Sequence, residues 1–118
     1  MILSALIASA VATAAPAAAC PDLVTPEAMV CRALEAQKAG NSDEAAQGFE
    51  EAARASSVKD PKTARMWAAA GNMWIAAGQP GKAAVDLDKA LALPGLDGEQ
   101  RGEALLDRAR AAEAQNVL

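Results

Sequence analysis

Two cysteines come nearest to chemistry in this chain. Cys20 and Cys31 are its only thiols, and the loop between them is short enough for a disulfide to close in an oxidising compartment. Their spacing is that of neither a zinc site nor a redox motif. The chain contains 0 histidines, so it has no imidazole base and no histidine metal ligand. The acidic pairs Glu50 with Glu51 and Asp86 with Asp88 could in principle share acid–base work, but the apolar pattern assigns them to solvent-facing helix surfaces. No glycine-rich phosphate loop or nucleophile elbow occurs. This inventory predicts no catalytic residue, no cofactor and no metal, so the chain is expected to be a non-enzyme that works by contact.

The segment before Cys20 bears on whether that disulfide can form. Met1 to Ala19 reads as an apolar run from Ile2 to about Ala12, then small residues, Pro16 and Ala17-Ala18-Ala19. This is the layout of a secretory signal with an Ala-x-Ala exit, although no Lys or Arg leads it. The expectation is a signal peptide over 1–19, a domain over 20–118, and export to the periplasm or cell envelope. A competing reading makes Cys20, directly after the alanines, the lipid-bearing first residue of the mature chain. That reading has Ala17 where the usual recognition sequence has Leu, and it leaves Cys31 without a partner. The segment is too short and alanine-rich for a membrane span, which needs roughly 20 strongly apolar residues. Membrane attachment is therefore expected only through a lipid on Cys20 or an uncleaved signal.

The elements that carry these residues follow from composition. Hydrophobic residues make up 53% of the chain and aromatics only 3%, because much of the apolar content is alanine, the best helix former. Strand-favouring residues are scarce and do not alternate. The net charge of −4, without a basic stripe, argues against nucleic acid as a partner.

Laid over itself, the chain matches at a shift of 38 residues, carrying Gly40, Ala45, Ala46, Phe49 and Ala52 onto Gly78, Ala83, Ala84, Leu87 and Ala90. Upstream of each glycine the same shift pairs Met29 with Trp67, Ala33 with Gly71 and Ala36 with Trp74, which is the spacing of one helical face. Each unit is thus two helices around a turn, and each glycine ends a helix in the left-handed conformation. Thr25, Asp43, Asp60 and Asp97 are the expected N-caps, and Pro80 and Pro94 are expected in connections. The helices are placed at about 26–39, 43–56, 61–77, 81–92 and 98–115. A further shift of 38 puts Leu105, Ala109 and Ala112 on the buried face of the last helix, with Asn116 at its end. Glu103, Asp107, Arg108, Arg110 and Glu113 then fall on its outer faces.

The second unit reads Trp67, Ala70-Gly71, Trp74, Gly78, Ala83, Leu87, Ala90 and Pro94. It resembles the tetratricopeptide pattern of Trp, Leu-Gly, Tyr, Gly, Ala, Phe, Ala, Pro, with Trp74 in place of Tyr and Leu87 in place of Phe. The first unit keeps Gly40, Ala45, Phe49 and Ala52 but has Met29 and Ala33 where the pattern has Trp and Gly. The resemblance implies an all-α solenoid of antiparallel helix pairs, with repeats at about 26–57 and 61–94 and a partial third over 98–118. It implies a repeat core of Phe49, Trp67, Gly71, Trp74, Ala83, Leu87 and Ala90. It also implies a concave wall built from the first helix of each unit, with Val30, Leu34, Ala68, Asn72, Ile75 and Arg110 as the partner-binding residues. A carboxylate clamp of the chaperone-binding kind would need basic residues where this chain has Glu103 and Asp107, so such a clamp is not expected. The function this implies is a protein-interaction module or scaffold that docks a helix or extended peptide of unknown identity. The alternative is a self-associating assembly component, signalled by the incomplete third unit and by Leu105, Leu106 and Ala109 on its helix.

Overall fold

A computed structural model describes residues 19–116. The signal expected over 1–19 lies outside this range except for Ala19, so its structure is not described. The described residues form an all-α protein of five helices: α1 (Pro26–Lys38), α2 (Ser42–Arg54), α3 (Pro61–Ala76), α4 (Pro80–Ala92) and α5 (Gly98–Gln115).

The helix starts follow local chemistry. Thr25 Oγ1 accepts the Ala28 N–H at 3.2 Å, and Asp60 Oδ1 accepts the Lys62 N–H at 2.9 Å, with Pro61 in the first helical turn, where no N–H is needed. Asp97 and Gln100 form a reciprocal capping box at 2.8 and 3.0 Å. Asp43 does not cap α2: Asn41 occupies the N-cap position and the helix opens at Ser42. Pro80 likewise opens α4 after Gln79 rather than lying in the connection.

The reason is the same in both turns. Gly40 and Gly78 adopt φ of +81° and +73°, which ends α1 and α3 with a left-handed residue. The next N–H reaches back into the finished helix, from Asn41 to Ala36 O at 2.9 Å and from Gln79 to Trp74 O at 2.8 Å. The carbonyls of those same two residues accept the first bonds of the following helices, from Ala45 at 2.9 Å and Ala83 at 3.1 Å. One residue thus closes one helix and opens the next, so each turn is shorter than the aspartate cap supposed.

Each helix packs against its successor, and α3 also touches α5. Alanines permit the close approaches: Ala45, Ala46, Ala52, Ala70, Ala83 and Ala90 are all fully buried. The larger buried residues fill what remains. Phe49, Trp74 and Leu87 belong to the main cluster, while Trp67 packs with Ala53 and Ala90 in a smaller one. Fully burying side chains of this size contributes roughly 1.5–3 kcal/mol each. Gly71 is buried against Leu87, where a Cβ would come within 2.5 Å of Leu87 Cγ. The link between α2 and α3 is an ordered turn in which Thr63 Oγ1 donates to Ser57 O at 2.6 Å.

The last helix is rotated from its expected register. Its buried residues are Ala104, Asp107 and Ala111, whereas Leu105, Leu106 and Ala109 are exposed and Ala112 is half-buried. The shift relating α3 to α5 is 37, carrying Asp60 onto Asp97 and Trp67, Ala70 and Trp74 onto the three buried positions. The capping box sets where α5 begins, and its small residues Ala104 and Ala111 let it lie close to the helices beneath. Two expectations about acidic residues are corrected as well. Asp107 is 8% exposed rather than on an outer face, and Asp86 is 2% exposed rather than solvated.

Candidate functional site

Three adjoining depressions lie over a surface to which α1, α3 and α5 contribute. The first, about 440 Å³, lies between the start of α1, the α2–α3 link and α3, lined in part by Pro26, Ser57 and Met66. The second, about 270 Å³, continues over Val30, Lys62 and Met66 to Phe49, Arg65 and Ala69. The third, about 330 Å³, shares Arg65 and Ala69 with the second and extends to Leu96, Gln100 and Glu103 on the α5 side. Shared walls make this one continuous groove with an apolar middle.

Charged groups line the groove along its length: Glu27, Asp60 and Lys62 in the first depression, Lys62 and Arg65 in the second, and Arg65, Glu103 and Asp107 in the third. Asp107 is already engaged: Asn72 Nδ2 donates to its Oδ2 at 2.9 Å, and Arg110 Nη1 donates to its Oδ1 at 3.1 Å. Those two donors compensate the carboxylate for its loss of water.

The six residues assigned to the wall fare differently. Val30, Ala68 and Asn72 line the groove. Ile75 is half-buried and packs against the main core cluster, as Val30 and Ala68 also do. Leu34 is 45% exposed and lies outside the three depressions. Asn72 and Arg110, the two polar members of the expected wall, meet on the carboxylate of Asp107. Lys62, Arg65 and Met66 line the groove without having been singled out. Their signal was present as the helical spacing of Lys62, Arg65, Ala69 and Asn72 along α3.

Cys20 and Cys31 are joined as a disulfide, with Cα atoms 5.7 Å apart. Arg32 Nη1 donates to Pro21 O at 2.9 Å and ties the same strap to α1. The bridge gives Cys31 the partner that the lipid-bearing reading of Cys20 leaves it without. Glu35 adds a carboxylate near the two sulfurs, but a disulfide offers no thiolate to a metal. Among the described residues, no helix is long and apolar enough to cross a membrane. Comparison with models of protein families, with curated proteins and with solved structures finds no match in any of the three.

Proposed function

We propose that this chain is an exported tandem helix-pair repeat of the tetratricopeptide type that binds a helical or extended polypeptide segment along the face of α1, α3 and α5. The observation that carries the reading is the continuous groove over Val30, Met66 and Ala69, which crosses successive helices instead of closing around a small molecule. The matched turns at Gly40 and Gly78 support the repeat, and the disulfide supports an oxidising compartment. A partner's apolar side chains would be buried in the middle of the groove, and the charged groups along it would set orientation.

Site-specific photo-crosslinking in cells that express the chain tests this. A photoreactive residue at Ala69 should give a discrete protein adduct, whereas one at Val85, which is 55% exposed on α4, should not. Arg65→Glu, at an exposed position shared by two of the depressions, should weaken that interaction about tenfold or more without lowering the melting temperature. Adducts at Val85 but none at Ala69 would exclude this face.

A second reading is favoured by α5, where Leu105 and Leu106 are 51% and 52% exposed beside Ala109. In that reading the outer face of α5 pairs with a second copy and the chain is an assembly component.

A further inference from the structure

Asp86 lies in the interior at the middle of α4. Glu50 approaches from α2, its side chain only 15% exposed. Both carboxyl groups converge on one donor: Trp74 Nε1 on α3 is 3.1 Å from Asp86 Oδ2 and 3.2 Å from Glu50 Oε2. An indole nitrogen carries a single hydrogen and accepts none. Two carboxylates drawn to one N–H, Asp86 buried and Glu50 nearly so, cannot both stay ionised cheaply. A proton held by one of them removes a charge and supplies an O–H that the other accepts, so that every polar atom of the cluster is satisfied.

We propose that Glu50 and Asp86 share one proton and form, with Trp74, a pH-sensitive clasp that joins α2 to α4 across α3. The surrounding charges fit this arrangement. On α2, Arg54 Nη2 is 4.0 Å from Glu50 Oε1, on the side away from Trp74. On α4, the Lys82 ammonium lies 4.6 Å from the centre of the Trp74 ring, and Lys89 lies over Trp67 at 4.4 Å. On α5, Arg108 is paired with Asp88 and Arg110 with Asp107. α3 faces the pair with the Trp74 N–H. Burial is the largest influence on Asp86 and, with the hydrogen bond and charge of Glu50, pushes its carboxyl up to about 7 against the pull of Lys89 and the indole.

The sign follows from the unfolded value of 3.8. Between that value and about 7 the folded chain holds a proton that the unfolded chain has released, so stability falls as pH rises through this window. Above it both states are ionised, the two anions repel, and the clasp is open. The chain has 0 histidines, so no imidazole titration overlaps the trend. Outside the cytoplasm, such a clasp converts mild acidity into a tighter repeat interface.

Thermal unfolding of the full chain followed by circular dichroism from about pH 5 to about pH 8, with carboxyl carbon NMR over the same range, tests the clasp. One side-chain carboxyl carbon should titrate near neutrality, and the melting temperature should fall over the same interval. Asp86→Asn, which imitates the protonated form, should flatten the melting profile. Glu50→Gln should move the midpoint down toward the ordinary carboxylate range. If Asp86→Asn does not fold, the wild-type NMR titration and Glu50→Gln decide. The proposal is overturned if every carboxyl carbon titrates below about pH 5.5, or if the variants keep the wild-type pH profile.

Discussion

Gly71 shows how much one missing carbon decides at the residue scale. It is not there for backbone freedom: it lies within α3, and its absent Cβ leaves the space that Leu87 fills. Gly71→Ala should therefore destabilise by about 1–3 kcal/mol despite alanine's better helix propensity, because Leu87 and the Ala83 carbonyl crowd the site. Gly102 is the contrast. It sits in α5 with nothing near a would-be Cβ, so Gly102→Ala should stabilise by about 0.5–1 kcal/mol. Denaturant titration of the two variants reads the opposite signs directly. Composition alone treats these glycines alike; the repeat resemblance assigns Gly71 to the core, and the Leu87 contact supplies the reason.

At the scale of elements, the helices were largely legible because their ends are written in local chemistry. Thr25, Asp60 and Asp97 cap through hydrogen bonds that span at most three residues, and the glycine turns depend only on what lies beside them. The misplaced cap at Asp43 fits the same logic, since its carboxylate sits in the first turn of α2, where the helix dipole favours negative charge. The strap before α1 has no helical bonds of its own and depends on the Cys20–Cys31 bridge, whose sequence separation is 11. On the loop-entropy account that bridge contributes about 2.5–3 kcal/mol. Replacing both cysteines by serine should lower stability by that amount and speed amide exchange at the start of α1. Intact-mass measurement of the mature chain should show two hydrogens fewer than the reduced form and no added lipid.

At the scale of the whole molecule, α5 is the helix that no successor covers among the described residues. In the self-pairing reading its outward leucines, both about half exposed, would meet a second copy. Light scattering at two concentrations should show a mass that rises with concentration, and Leu105→Glu with Leu106→Glu should return the chain to a monomer with little change in stability, since both side chains are about half exposed. A wild-type chain monomeric at both concentrations would leave the peptide-binding groove as the sole reading. The double variant also separates the two surfaces, because neither leucine lines the depression over Met66 and Ala69, which should keep its crosslinking partner.

By itself the sequence determined the all-helical class, the approximate helix limits and the pairing of helices around Gly40 and Gly78. These rest on propensity, capping and spacing, which act over a few residues. It could not determine the rotation of α5, because one residue of register turns a helix face by about 100° and only contact with α3 and α4 selects among the choices. Nor could it tell that Asp86 and Asp107 are interior. Their partners, Trp74 and Asn72, lie 12 and 35 residues away in sequence, and a carboxylate is buried or solvated according to whether such distant donors arrive.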